Sequence, residues 1–172
     1  MKIRKTYVIN GMIVLTSMIF LLDCMSSEVK EKEFKMIAQS MARIISQSAS
    51  ACQNQCMAYR AAWEYARASE IDFKEASRQM LSTRPAQFQV NMEDLNRKIV
   101  YYLEKLDNPP KKYRDVSDKL REMHEHYAEI FKFAVNPPES PDEFYFEKVD
   151  SIKMKIEAIQ QELNIFLVSP QY

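Results

Sequence analysis

Glycine is almost missing from this chain: Gly11 is the only one in 172 residues. Glycine-rich phosphate loops, dinucleotide fingerprints and the G-x-S-x-G nucleophile elbow all need backbone conformations or close approaches that other residues resist, so each is excluded. Primed β-hairpin turns lose their usual residue as well. What remains open to such a chain is helix. A charge excess is missing too, since 24 Lys and Arg face 24 Asp and Glu. With no basic run, a sequence-independent grip on phosphate backbones has no source, and nucleic acid is excluded as the expected partner.

The first 27 residues carry the clearest pattern. Lys2, Arg4 and Lys5 precede an apolar stretch from Tyr7 to Leu22, and Asp23-Cys24-Met25-Ser26-Ser27 follows it. A basic start, an apolar centre and small polar residues describe a bacterial secretory signal. A spanning helix needs roughly 20 apolar residues, and this stretch is shorter and contains Asn10, Gly11, Thr16 and Ser17; an uncleaved anchor is the second reading. Two exits differ physically. Cys24-Met25-Ser26 suits general cleavage, which releases the chain. Leu21-Leu22-Asp23-Cys24 looks like a lipoprotein signal, in which Cys24 becomes the lipid-modified first residue; Asp23 departs from the small residue that pattern wants. Acyl chains on Cys24 would hold the chain at a membrane firmly. Removal of the leader leaves 21 basic against 23 acidic residues, a net charge of −2. We expect a signal, lipoprotein signal or anchor over 1–26 and one helical domain over 28–168, long enough to bury a core.

From Ala38 the series Ala42, Ile45, Ala49, Cys52, Cys56, Tyr59, Trp63 and Ala66 steps by alternating four and three, the seam of a helix packed along a partner. Its many small residues allow close approach. Ser40, Ser46, Ser48 and Ser50 make the helix intrinsically ordinary, so packing has to hold it. Ser69-Glu70-Ile71-Asp72 resembles a capping box and predicts a bend, with Phe73, Ala76 and Met80 continuing to about Leu81. Thr83-Arg84-Pro85 ends that helix. Helical spacing returns at Met92, Leu95, Ile99, Tyr102 and Leu106, and breaks at Asp107-Asn108-Pro109-Pro110, where Asn108 can cap and Pro109 can take the first helical position. Tyr113, Val116, Leu120, Met123, Tyr127, Ile130 and Ala134 follow, up to Asn136-Pro137-Pro138. Ser140-Pro141-Asp142-Glu143 is a start signal for a last helix bearing Tyr145, Val149, Ile152, Ile156, Ile159, Leu163 and Phe166. The expected fold is all-α: an elongated antiparallel bundle of three to five helices, with a long bent helix over about 30–82, a broken one over about 92–135 running back, and a last one over about 141–167.

Ala62-Trp63-Glu64-Tyr65-Ala66, then Asp72-Phe73-Lys74-Glu75-Ala76, then Leu106-Asp107-Asn108-Pro109-Pro110-Lys111-Lys112-Tyr113 resemble a layout found in small exported or lipid-anchored bacterial proteins with no assigned activity. The similarity covers Ala58 to Leu167. It implies a helical fold and an envelope location and carries no mechanism, and Cys52 and Cys56 are not part of it.

Chemistry has one candidate place. Cys52 and Cys56 share a helical face, with Cβ atoms expected about 5 to 6 Å apart, against the 3.5 to 4.5 Å a disulfide wants. They can be inert packing, a disulfide within or between chains, or a soft-metal pair. A metal would need further ligands, and Met57, His124 and His126 are the only soft or imidazole candidates. The two histidines are two apart and point different ways on a helix, so neither completes a Glu-x-x-His set or a nucleophilic triad. Tyr101-Tyr102 and Phe144-Tyr145-Phe146 cannot all face a slim core, and some are expected at a rim that a partner or membrane could cover. Charges from Glu28 to Lys35 read as solvated. The expected protein is non-enzymatic and exported to the cell envelope or beyond, needs no cofactor, contacts a membrane through its N-terminus if lipidated or uncleaved, and presents a helical surface to a protein partner. The alternative is a thiol, redox or soft-metal protein using Cys52 and Cys56.

Overall fold

The computed structural model describes the backbone over residues 3–168 and the side chains over 28–167. The leader over 1–26, with Cys24, therefore lies outside the described side chains. Among the described residues the chain is all-helical, with no strand. Its elements are α1 (Ile3–Ser69), α2 (Phe73–Leu81), α3 (Arg84–Lys105), a 3-10 turn (Lys111–Tyr113), α4 (Arg114–Val135) and α5 (Glu143–Val168).

Helix α1 ends in a geometry that usually calls for glycine. The Ile71 amide donates to the Ala66 carbonyl at 3.1 Å, the long reverse bond of a Schellman motif, and Glu70 takes the left-handed conformation with φ 56°. The capping box expected from Ser69 begins instead at Asp72, whose carboxylate accepts from the Glu75 amide at 2.7 Å. The long bent helix expected over 30–82 is thus two helices. Ser82, with φ 48°, turns the chain again. Helix resumes at Arg84, well before the expected 92, because Pro85 lies in the first turn where its missing N–H costs nothing.

Helix α3 stops at Leu106, and α4 does not begin at Pro109. Pro110 is extended (φ −54°, ψ 145°) and leads into the 3-10 turn, so helix proper starts at Arg114. The start of α5 is likewise two residues later than the Ser140 cap expected from sequence: Asp142 Oδ1 accepts the Tyr145 amide at 2.9 Å. At α2 and α5 the cap moves to an aspartate, a side chain short and charged enough to hold an orphan N–H.

Side-chain contacts fix the helix directions. Along α1 and α5, Gln39 meets the Leu167 carbonyl, Gln53 meets Asp150 and Arg60 meets Glu143, so the two run oppositely. Along α1 and α4, Phe34 stacks on Tyr113 and Tyr59 reaches the Ala134 carbonyl, so these two run the same way. Helix α3 lies oppositely to α4, with Arg121 on Asp107 and Tyr127 on Asn96. The chain reverses at 106–113, whereas the sequence reading had one broken helix running back from 92 to 135.

One buried cluster joins α1, α4 and α5. The α1 seam from Ala38 to Ala66 is buried, apart from Trp63, which is partly buried and tilted against Phe146. Every member of the α4 series is buried as well. On α5 the series holds to Leu163, then Leu167 replaces Phe166, which is 48% exposed. Met80 is exposed and Leu81 takes its place in the core. Burying one such side chain contributes about 1.5–3 kcal/mol. Among the described residues no helix is long and apolar enough to cross a membrane.

Candidate functional site

The face of α1 that carries Ser48, Cys52, Gln55, Cys56 and Tyr59 brings polar groups into the core, all of them buried. These residues lie on the inward stripe because offsets of four, seven, eight and eleven return to the same side of a helix. Tyr127 comes to this region from α4 and Tyr145 from α5, both buried.

The hydroxyls here close a helix end. The last carbonyls of α4 have no intrahelical donor. Tyr145 Oη donates to the Phe133 carbonyl at 2.8 Å, and Tyr59 Oη donates to the Ala134 carbonyl at 3.2 Å. Tyr145 Oη also lies 3.5 Å from Cys56 Sγ. A phenol has one proton, which the nearer Phe133 carbonyl and the more distant sulfur compete to accept. Ser117 Oγ does the same service for α3, donating to the Leu106 carbonyl at 3.2 Å.

Cys52 and Cys56 are free thiols, 0% and 1% exposed. Burial pushes the Cys56 thiol from 9.0 up to about 11, with the Tyr145 hydroxyl opposing in part. Burial, with Cys56 as a close neighbour, pushes Cys52 higher still. Thiolate is the form that attacks electrophiles and binds metals, and buried thiols held protonated are inert at neutral pH. Burial likewise raises the Tyr145 and Tyr127 phenols. Ser48 Oγ and Gln55 Nε2 find no hydrogen-bond partner here.

The other sequence candidates lie apart from the thiols. Met57 is 49% exposed on the opposite side of α1. His124 packs beside the Tyr127 ring, and burial lowers its pKa. His126 lies 4.0 Å from Glu122 on its own helix. Among the described residues, no three His, Cys, Asp or Glu side chains converge. The aromatic runs divide by helical period: Tyr145 and Phe146 are core, while Phe144 and Tyr101 are exposed.

Sequence reasoning missed the capping roles of Tyr59, Tyr145 and Ser117. The available signal was a hydroxyl recurring on otherwise apolar stripes, although its acceptor depends on which helix end lies opposite. Two clefts open on the surface. One, of about 690 Å³, sits beside Phe34 and Pro109. The other, of about 580 Å³, lies between Phe73 and Pro137 at the far end. Comparison of the chain with protein-family models, with curated proteins and with solved structures finds no match.

Proposed function

We propose that this chain is a non-enzymatic protein of a bacterial envelope, an elongated helical bundle held at a membrane by its N-terminal segment, with its outer surface available to a protein partner. The observation that carries the reading is the use made of the inward faces: α1, α4 and α5 fill their common interior with side chains, and two of its hydroxyls, Tyr59 and Tyr145, cap the end of α4. The apolar stretch from Tyr7 to Leu22 behind Lys2, Arg4 and Lys5 supports export or anchoring. The likeness to small exported helical proteins points the same way. A thiol or metal function is less favoured, because it would need Cys52 and Cys56 to ionise inside an apolar wall.

Fractionation of cells making the full chain, with the mass of the mature N-terminus, tests the location. The expected result is a membrane-associated chain carrying acyl mass on Cys24, with Cys24→Ser released or mislocalised. An N-terminus at Ser27 would dismiss lipidation, and an intact leader in the cytosolic fraction would dismiss export. Stoichiometric copper or zinc lost on Cys56→Ala would establish the thiol reading instead.

A further inference from the structure

The cleft of about 690 Å³ is bounded by the early part of α1 and by the connection from α3 to α4. Lys30, Lys105, Lys111 and Lys112 contribute its cations, against Glu31 and Glu33. Glu31 is already engaged by Lys112. Lys105 lies over the Tyr101 ring. Lys30 and Lys111 form no ion pair among the described residues and keep their charge for a ligand. Between the cations lies apolar surface from the partly exposed Ile37 and Pro109, with the buried Phe34 ring behind them. A free phosphate has no use for such a wall, and the volume is that of a small-molecule site. Cations beside apolar surface suit an amphiphile with an anionic head.

Position narrows the class. Lys30 follows the end of the apolar stretch, Leu22, by eight residues. That is about 12 Å of helix or at most about 28 Å of extended chain. The exposed Val29, Met36, Tyr101 and Phe166 all belong to this end of the molecule, since α3 and α5 run oppositely to α1. Aromatic and lysine side chains are the usual occupants of a membrane–water interface. Resting on the proposed membrane tether, we propose that this cleft binds the headgroup of an anionic phospholipid, with the phosphate on Lys30 and Lys111 and the start of the acyl chains against Ile37 and Pro109.

Native mass spectrometry of the full chain in neutral detergent, titrated with phosphatidylglycerol, phosphatidylcholine or glycerol 3-phosphate, tests this. Phosphatidylglycerol should be retained in preference to phosphatidylcholine. Lys30→Gln with Lys111→Gln should weaken that retention about twenty-five-fold, at roughly fivefold per lysine, and Lys30→Arg with Lys111→Arg should restore it. Circular dichroism of each variant checks that the helices persist. Equal retention of the two lipids, or retention unchanged by Lys→Gln, overturns the proposal. Glycerol 3-phosphate bound as tightly as the lipid would make this a soluble-phosphate site and overturn the lipid assignment. Membrane fractionation is read separately: a chain that partitions with membranes without lipid preference sinks this inference alone, whereas lipid preference in a chain found only in soluble fractions sinks the tether.

Discussion

Glu70 shows what the scarcity of glycine does to a single backbone position. Its φ of 56° places a side-chain-bearing residue where the Schellman motif favours glycine. Replacing a residue strained at positive φ by glycine relieves the Cβ clash, and the gain exceeds the extra entropy of the unfolded chain. Glu70→Gly should therefore stabilise the protein by about 0.5–1 kcal/mol, read as a higher urea midpoint at unchanged slope. The bend near Ser69 was legible in the sequence; the left-handed residue was not, because nothing local marks a glutamate for that conformation. Asp72 as the true cap was hidden for a related reason, since Ser69 and Asp72 each offer a capping side chain and only the path of the chain after α1 chooses between them.

Individual elements depend on neighbours to finish their ends. Helix α4 leaves the Phe133 and Ala134 carbonyls open, and hydroxyls from α5 and α1 close them. Tyr145→Phe keeps the ring packed against Phe133 and Phe146 but removes the donor to a partly buried carbonyl at the end of α4. The expected cost is about 0.5–1.5 kcal/mol, measured by equilibrium unfolding. Tyr65→Phe, which removes only an exposed bond to Gln79, should change stability by no more than a few tenths. The end of α4 and most of α5 were readable from their apolar spacing and proline breaks. The starts of α3 and α4 were not: Pro85 is compatible with both a stop and a first turn, and Pro109 with both a first turn and an extended link.

At the scale of the whole molecule, the thiols report how three helices close together. Cys56 has its folded pKa raised from 9.0 to about 11, so the folded chain holds a proton that the unfolded chain releases. Stability from this group is complete below pH 9 and falls as pH rises toward 11, because the unfolded state binds fewer protons over that window. Cys52 is shifted in the same direction and adds to the loss. The slope should approach about 1.4 kcal/mol per thiol for each pH unit above 9. Cys52→Ala with Cys56→Ala should flatten the fall between pH 9 and 10 in urea titrations. An equal fall in the double variant would mean that the thiols are hydrated in solution. The seam through Cys52 and Cys56 was visible as heptad spacing, and so was its inward direction. Its complete burial was not, since spacing on one helix says nothing about how completely others cover it.

By itself the sequence determined that the chain is helical, roughly where its helices break, and which stripe of each turns inward. These are local matters, settled by the near absence of glycine, by proline positions and by side-chain periods of three and four. Only the tertiary structure decided that α4 runs with α1, that tyrosines cap the end of α4, that the thiols lie dry beneath them, and that lysines from distant segments gather beside Phe34. Each of these joins residues far apart in the chain. Their proximity depends on the reversal at 106–113 and on mutual burial of the helix faces, and no spacing within one helix encodes it.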